Sequence, residues 1–286
     1  MARKGTNFLQ NIMMNIRGDI HTFHSPLIMG VLNLTPDSFF DGGQYNSSKK
    51  IIEHVEKMVN EGANIIDLGA YSSRPGAEHI NEKEELKRLM EPLQQIRSRF
   101  SDILISVDTF RSNVAEQAFN NGADIINDIS SGELDDQMLD TISRIKVPYI
   151  MMHMQGNPKT MQQNPSYDNV TSSVIKFFSS KIRLAISKGI NDIIIDPGFG
   201  FGKNVDHNYE LLKNLKELQL FNKPILIGVS RKSMINKVLN VSTQNTLNGS
   251  SVLHTIALLN GANILRVHDV EAAREVVKIV SYYQNN

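Results

Sequence analysis

Eight short apolar runs recur along this chain, and each ends at or beside a polar residue that could take part in chemistry. The runs are residues 27–34, 65–68, 103–107, 125–126, 149–152, 193–195, 225–229 and 264–267. Their apolar residues do not alternate with polar ones, so both faces of each run should be covered, which is typical of a parallel sheet. With helices between the strands, the pattern predicts an α/β fold, a single (β/α)8 TIM barrel. In that fold the loops that follow the strands carry the active site.

Apolar stripes and end signals predict the helices between the strands. The first stripe covers residues 51–59, with Ser47 and Ser48 as its predicted caps and Gly62 as its stop. One helix-to-strand joint, Gly-Ala followed by a polar and two aliphatic residues, occurs at Gly62, Gly122 and Gly261. Glycine suits such a joint because it adopts the left-handed conformation easily. Further helices are predicted at residues 81–100, 111–121, 135–146, 170–188, 206–220, 232–240, 249–260 and 270–283.

The length of the chain, 286 residues, fits one barrel of roughly 250 residues with a short extension. A soft prior of about 150 residues per domain suggests two domains, but the number of strands favours one. We therefore assign residues 1–25 to an N-terminal extension and residues 26–286 to the barrel. Arg17-Gly18-Asp19 resembles a cell-adhesion signal, but the favoured interpretation is a hairpin that closes the bottom of the barrel.

Composition excludes several classes of partner and site. Thirty basic residues balance thirty acidic ones and no basic cluster follows a helix face, so we expect no nucleic-acid partner. No apolar run approaches the roughly 20 residues that span a bilayer, and residues 1–10 lack the apolar centre of a secretory signal. We therefore expect no membrane partner. The chain has no cysteine, which excludes disulfides, thiolate catalysis and Cys-ligated metal and fits a cytoplasmic protein.

Two long loops follow the first two barrel strands. They cover residues 35–47 and 70–80 and are rich in Gly, Pro, Ser and Asp. Long loops at this end of a barrel often act as lids over a binding site. We therefore expect both loops to close over a substrate.

Eight motifs, in order along nearly the whole chain, resemble those of the dihydropteroate synthases, a family of pterin-binding enzymes. They are residues 33–43, 67–77, 106–109, 127–129, 152–154, 196–202, 228–233 and 266–268. The resemblance implies a folate-synthesis transferase that joins 6-hydroxymethyl-7,8-dihydropterin diphosphate to p-aminobenzoate and releases pyrophosphate. It also implies Mg2+, a homodimer and sensitivity to sulfonamides. Loss of pyrophosphate would come first, giving a cation at the pterin methylene that the arylamine captures.

The resemblance implies a pterin site built from several strand ends. A pterin edge needs carboxylates facing its amino group and ring N–H, and donors facing its carbonyl and N5. Asp108, Asn127, Asp196 and Lys232 supply that set, and Met152 is expected to pack on the ring. By resemblance, the pterin-binding residues are Asp108, Asn127, Met152, Asp196, Phe201, Gly228 and Lys232.

The resemblance assigns the other roles as follows. Arg266 offers a bidentate fork to the diphosphate and His268 a second donor, while Asn33 helps to hold Mg2+ on the diphosphate. The implied diphosphate-binding residues are Asn33, Arg74, Arg266 and His268, with Asn33 the metal ligand. The implied p-aminobenzoate-binding residues are Phe39, Ser73, Arg74, Pro75 and Ser233. The implied catalytic residues are Asp41, which would face the cation, Lys232, Arg266 and His268.

Alternative interpretations of single residues remain open at this point. Asp108 could cap a helix, and Asp196 before Pro197 could start a turn. Residues 198–203 mimic a nucleotide loop but lack the spacing of a phosphate loop, which favours a flexible wall. The chain also departs from the family at Ser73, where Thr is common, and at Phe40, where a small residue is common, and both changes bear on inhibitor affinity.

Two other functions share part of this pattern. A methyltetrahydrofolate-binding methyltransferase domain would use the same Asp and Asn contacts, but it binds no diphosphate. A non-catalytic barrel could bind a phosphorylated ligand without turnover. Arg266-x-His268 together with the motif at residues 230–233 favours the synthase.

Overall fold

The computed structural model describes residues 12–34, 44–71, 79–156 and 161–286. Its strands are β1 (Ile12–Ile16), β2 (Asp19–Phe23), β3 (Leu27–Asn33), β4 (Ile65–Gly69), β5 (Leu104–Asp108), β6 (Ile125–Asp128), β7 (Tyr149–Met152), β8 (Ile193–Asp196), β9 (Leu226–Ile227) and β10 (Ile264–Val267). Its α-helices are α1 (Gln44–Glu61), α2 (Glu82–Arg99), α3 (Ser112–Asn120), α4 (Met138–Ile145), α5 (Val170–Ser187), α6 (Val205–Lys213), α7 (Ser233–Leu239), α8 (Leu247–Leu259) and α9 (Val270–Asn285). Two 3-10 turns lie at Leu215–Phe221 and Thr243–Asn245.

Eight parallel strands form a nearly closed barrel. Their order is β8-β7-β6-β5-β4-β3-β10-β9, and a parallel bridge between Ile195 and Ile225 brings the two edges together. Helices separate successive strands and cover the outside of the sheet, which buries the strands on both faces. The predicted barrel is confirmed. In the part of the chain that the structure describes, no helix is long and apolar enough to cross a membrane.

A short antiparallel hairpin of β1 and β2 precedes the barrel, as predicted. Ile12, Met14 and Ile16 are buried against aliphatic residues at the beginnings of the barrel strands, so the hairpin covers the bottom of the barrel. Arg17 turns back to donate hydrogen bonds to the Asp124 carboxylate at 2.7 Å and to the Gly122 carbonyl at 2.7 Å. The Arg-Gly-Asp sequence therefore has a structural use here. The division of the chain at residue 25 stays a prediction.

The repeated helix-to-strand joint is confirmed in all three places. Gly62, Gly122 and Gly261 have φ values of +103°, +105° and +92°. In each joint the following alanine amide donates to the carbonyl five residues back, at 2.9 Å. Gly189, with φ of +83°, makes the same joint a fourth time without the alanine.

Two helix predictions are wrong in detail. Ser47 and Ser48 do not cap α1, because the helix begins at Gln44 and includes both serines. The helix predicted over residues 206–220 ends at Lys213 and continues as a 3-10 turn. Between the two, Asn214 leaves helical geometry and its side-chain amide binds the Thr171 hydroxyl of α5 at 3.3 Å. Packing against α5 therefore overrides the local apolar period.

Candidate active site

The repeated unit places three polar residues in one layer at the mouth of the barrel. Asp67, Asn127 and Arg266 hold the same position in their units and come from β4, β6 and β10, the second, fourth and eighth barrel strands. Alternate strands of such a barrel contribute to the same interior layer. Arg266 Nε donates to Asp67 Oδ2 at 2.6 Å, and Asn127 Nδ2 donates to the same oxygen at 3.3 Å. A repeat that serves folding also builds the centre of the site.

Arg266 binds a second carboxylate as well. Its Nη2 donates to Asp108 Oδ2 at 2.9 Å, while Asp67 also accepts a hydrogen bond from Ser106 Oγ at 2.7 Å. Burial raises the pKa of Asp108 to about 7, with Arg266 opposing the rise and Asp67 adding to it. Burial lowers the pKa of Arg266, but Asp67 and Asp108 outweigh that effect and raise it. One guanidinium thus compensates two carboxylates, of which Asp67 is fully buried and Asp108 is partly exposed.

The helix-cap interpretation of Asp108 is wrong. The N-cap position of α3 is Arg111, which makes no side-chain cap, and the Ser112 amide donates to Asp135 Oδ2 at 2.7 Å. Asp108 instead points to Arg266 at the barrel mouth. Its role is therefore in the polar cluster and not in helix initiation.

Asp196 and Lys232 provide a second pair of opposite charges in the same mouth. Asp196 Oδ1 accepts a hydrogen bond from the Gly198 amide at 2.7 Å, so Asp196 does start a turn. Burial raises the pKa of Asp196, and the charge of Lys232 opposes that rise. Burial lowers the pKa of Lys232 to about 8, with Asp196 opposing and Arg266 adding to the effect.

Lys232 is held by the loop that follows β8. Its Nζ donates to the Phe199 carbonyl and lies 4.9 Å from the centre of the Phe201 ring. A Cβ on Gly228 would lie 3.7 Å from this Nζ and 3.9 Å from Arg266 Cβ. The predicted residues Phe201, Gly228 and Lys232 are thus neighbours.

An apolar wall lines one side of this polar cluster. Met152, which was predicted, is 3 % exposed and packs in a small cluster separate from the main core. The cluster consists of Ile129, Met152, Met154 and Met161, with Phe110 and Phe201 against them. An apolar surface beside hydrogen-bonding groups suits a heteroaromatic ligand.

The loops after β9 and β10 are tied to each other. The His268 amide donates to Ser230 Oγ at 3.2 Å, and His268 Nδ1 lies 3.1 Å from the same oxygen. Arg231 adopts a left-handed φ of +54°, and its guanidinium donates hydrogen bonds to both carboxylate oxygens of Asp269. His268 is exposed, whereas Arg266 is only partly so, and the predicted residue Ser233 is exposed at the start of α7.

Asn33 lies at the end of β3, near Asp108. A Cβ on Gly69 would lie 3.9 Å from both Asn33 Oδ1 and Asp108 Oδ2. Within the described ranges, no group of three His, Asp or Glu residues could hold a metal. An amide oxygen at the open mouth fits Mg2+ that takes its remaining ligands from phosphate and water. It does not fit an ion held by protein groups alone.

Five predicted site residues lie outside the described residues: Phe39, Asp41, Ser73, Arg74 and Pro75. Phe40 lies outside them too.

Two buried ionisable residues of this region were missed as site residues. Asp67 lies inside an apolar run, and its position in the repeated unit, equivalent to Asn127 and Arg266, was the signal that could have found it. Lys203 is 3 % exposed and turns inward beneath the loop after β8. No sequence signal separates it from an exposed lysine.

Comparison with known proteins shows the family of the chain. Residues 29–268 match the pterin binding enzyme family. The chain is similar to the dihydropteroate synthase of Escherichia coli (strain K12), with 46% identity over 257 residues, which are 89% of this chain and 90% of that protein.

Solved structures of dihydropteroate synthases share the fold. A Yersinia pestis structure with a sulfonamide drug has a TM-score of 0.89 and 40% identity, covering 96% of this chain and 99% of that one. A Xanthomonas albilineans structure with 4-aminobenzoic acid has a TM-score of 0.89 and 34% identity, covering 97% and 100%. From its motifs, its barrel and these relatives, the chain belongs to the pterin binding enzymes and, within them, to the dihydropteroate synthases, transferases of folate synthesis.

Proposed function

We propose that this enzyme condenses 6-hydroxymethyl-7,8-dihydropterin diphosphate with p-aminobenzoate, giving 7,8-dihydropteroate and pyrophosphate. The observation that carries the proposal is the polar cluster at the barrel mouth, where Asp108, Asn127, Asp196, Lys232 and Arg266 lie beside an apolar wall. A planar ligand with several hydrogen-bonding groups on its edge fits such a site.

The cluster matches a pterin edge group by group. Asp108 and Asp196 accept hydrogen bonds from the amino group and ring N–H, and Asn127 can both accept and donate. Lys232 donates toward the ring carbonyl and N5. Met152 and Phe201 pack on the ring faces. A buried pterin donor without its acceptor would cost about 1 to 3 kcal/mol, so each of these groups contributes to specificity.

The diphosphate lies toward Arg266 and His268, with Asn33 and Arg74 as further contacts. Asp67 and Asp108 use two of the five N–H donors of a guanidinium. Arg266 can therefore bind a phosphate oxygen while it keeps both carboxylates. Mg2+, when bound through Asn33 and the diphosphate oxygens, would neutralise charge on the leaving group.

The reaction is a displacement at the pterin methylene. The C–O bond breaks and its electron pair leaves with pyrophosphate; the arylamine nitrogen then forms the C–N bond and loses a proton. The protein supplies no nucleophile in this scheme, so catalysis depends on stabilising the leaving group and the cation. By resemblance to the family, we assign stabilisation of the cation to Asp41. We assign binding of p-aminobenzoate, with which sulfonamides compete, to Phe39, Ser73, Arg74, Pro75 and Ser233.

We further propose that the enzyme is a cytoplasmic homodimer. Two exposed apolar stripes lie on the packed helices α8 and α9 and support the assembly. They consist of Val252, Ile256 and Leu259 on α8, and of Ile279, Tyr282 and Tyr283 on α9. Large exposed apolar patches usually mark interaction surfaces. The cysteine-free composition is consistent with a cytoplasmic protein.

The test is an assay of pyrophosphate release and of dihydropteroate by mass spectrometry, with each component omitted in turn. We expect both products only when pterin diphosphate, p-aminobenzoate and Mg2+ are all present. Pyrophosphate release without p-aminobenzoate would indicate a hydrolase. Tight binding of methyltetrahydrofolate without any pyrophosphate release would favour the methyltransferase domain, and binding of pterin diphosphate without turnover a non-catalytic barrel.

A further inference from the structure

Lys203 is a buried lysine that the proposed reaction does not use. It ends the glycine-rich part of the β8–α6 loop, residues 197–204, and its side chain is turned beneath that loop. The residue is 3 % exposed. A phosphate-binding lysine would face the mouth, so the likeness to a nucleotide loop does not describe its role.

The ammonium of Lys203 is bound by one neutral ring and by the main chain. Its Nζ lies 2.9 Å from His153 Nδ1, 3.0 Å from the Gly198 carbonyl and 3.1 Å from the Phe201 carbonyl. Among the residues that the structure describes, no carboxylate forms an ion pair with it. Burial lowers the pKa of Lys203 to about 7, with Asp196 opposing and Lys232 adding to the shift.

His153 is the acceptor in this contact. Burial and the charge of Lys203 lower the pKa of His153 to about 3, so the ring is neutral and Nδ1 can accept the hydrogen bond. The Tyr167 hydroxyl donates to the Gly202 carbonyl at 2.9 Å on the same loop. Lys203 and Tyr167 therefore fix the position of the glycine-rich loop, whereas its sequence predicts a flexible wall of the site.

The pinned loop carries three contacts of the proposed pterin pocket. The Gly198 amide binds Asp196, the Phe199 carbonyl accepts from Lys232, and the Phe201 ring lies against Lys232. The two carbonyls that Lys203 binds, those of Gly198 and Phe201, lie on either side of Phe199. Movement of either carbonyl would displace the Gly198 amide, the Phe199 carbonyl or the Phe201 ring, which hold the side chains of Asp196 and Lys232 in position.

A buried lysine amine without a paired carboxylate is unfavourable for stability whether it is charged or neutral, because burial removes its polar group from water. Methionine is apolar, is as flexible and fills irregular core spaces well. We propose that Lys203 is a positioning residue of the pterin pocket, which fixes the β8–α6 loop so that Asp196, Lys232 and Phe201 face the ring together. This inference rests on the proposed function.

The test compares the parent with Lys203→Met and with Lys213→Met, a control at an exposed lysine of α6. Calorimetry with 6-hydroxymethylpterin, the ring without diphosphate, gives the dissociation constant. Steady-state kinetics give kcat and the KM of each substrate, and thermal unfolding gives Tm. For Lys203→Met we expect pterin binding at least tenfold weaker and a KM for pterin diphosphate at least tenfold higher. The KM for p-aminobenzoate should stay within twofold and Tm should be equal or higher.

Each other outcome overturns the inference. Pterin binding within twofold of the parent, or a loss shared equally by both substrates with a fall in Tm, would mean that Lys203 serves the fold only. If Lys203→Met does not fold, Lys203→Gln decides: weaker pterin binding supports the inference, while parent-like binding or failure to fold contradicts it. A parent that neither binds the pterin nor releases pyrophosphate would instead contradict the proposed function.

Discussion

At the scale of single residues, Arg266 sets the charge balance of the barrel mouth. Its guanidinium binds Asp67 at 2.6 Å and Asp108 at 2.9 Å, and Asp67 is fully buried. Removing one partner of a buried ionic cluster leaves uncompensated charge in a medium that solvates it poorly. The effect should depend on pH, because a carboxylate can escape the cost by taking up a proton.

We predict that Arg266→Ala lowers the free energy of unfolding by about 3 to 5 kcal/mol at pH 8 and by less at pH 6. The pKa of Asp108 is already raised to about 7 in the folded protein, and loss of Arg266 raises it further. A carboxyl with a raised folded-state pKa favours folding at low pH, and that contribution is lost as pH rises through the folded-state value. Urea unfolding at both pH values measures the difference.

Arg144→Ala is the matched control, because Arg144 forms an exposed ion pair with Glu116 at 3.0 Å. The Arg144→Ala substitution should lower the free energy of unfolding by about 0 to 1 kcal/mol at both pH values. Equal losses for Arg266→Ala at pH 6 and pH 8 would show that Arg266 does not compensate the carboxylates.

The residues that could be predicted from sequence are those whose position is fixed by a strand end. Asp108, Asn127 and Asp196 each stand at the end of an apolar run, so the parallel sheet brings them to one edge. Asp67 was missed although its place in the repeated unit matches Asn127 and Arg266, whereas the inward direction of Lys203 depends on three-dimensional packing. Asp67 is surrounded by apolar residues in the sequence. Lys203 follows a glycine-rich turn whose path cannot be predicted from its residues.

At the scale of elements, the β8–α6 loop depends on close backbone contact. Gly198 has φ of +71°, and a Cβ there would lie 1.9 Å from the His153 carbonyl oxygen. Gly18 in the N-terminal hairpin also has a positive φ, +96°, but a Cβ there would meet nothing within 4 Å. Substitution of Gly18 therefore tests backbone strain alone, whereas substitution of Gly198 tests strain together with a steric clash.

We predict that Gly18→Ala lowers the free energy of unfolding by about 1 to 2 kcal/mol, because alanine is strained in the left-handed conformation. Pterin binding should be unchanged. Gly198→Ala should cost more and should also weaken 6-hydroxymethylpterin binding at least tenfold, since the loop must move away from His153. Urea unfolding and calorimetry provide the two measurements. Equal stability and equal pterin affinity in both variants would contradict the close packing of this loop.

Element prediction succeeded where one residue type decides the geometry. The joints at Gly62, Gly122 and Gly261 could be predicted because glycine takes a left-handed conformation at little cost. The start of α1 and the break in the helix after Lys213 were not predicted from the sequence. The break after Lys213 depends on the contact of Asn214 with α5 rather than on the local period.

At the scale of the whole molecule, the count of buried runs was enough to predict the barrel, because few arrangements bury both faces of eight strands. The short strand β9, with only two residues, closes it through the bridge at Ile225. The assembly of the molecule was implied only by resemblance, since an exposed stripe can be recognised only after the helices are packed.

We predict that Val252→Glu converts the proposed dimer to a monomer. Val252 is 57 % exposed on the apolar stripe of α8, so a charge there would be buried without a partner in the dimer. Leu184→Glu, at a 45 % exposed leucine of α5 outside both stripes, is the control and should stay dimeric. Sedimentation velocity distinguishes the states. A monomeric parent, or a Val252→Glu variant that remains dimeric, would place the interface elsewhere or remove it.

The central claim, that the polar cluster at the barrel mouth binds the pterin ring, is tested most directly by calorimetry with 6-hydroxymethylpterin. The titration compares the parent with Asp108→Asn and Asp196→Asn, and with Asp140→Asn as a control at an exposed carboxylate of α4. Each of the two site variants places an amide donor against a ring donor, so pterin binding should weaken by about 1 to 3 kcal/mol, while the control should bind like the parent. Parent-like binding by either Asp108→Asn or Asp196→Asn would contradict the claim for that residue, and parent-like binding by both would remove the pterin from this site.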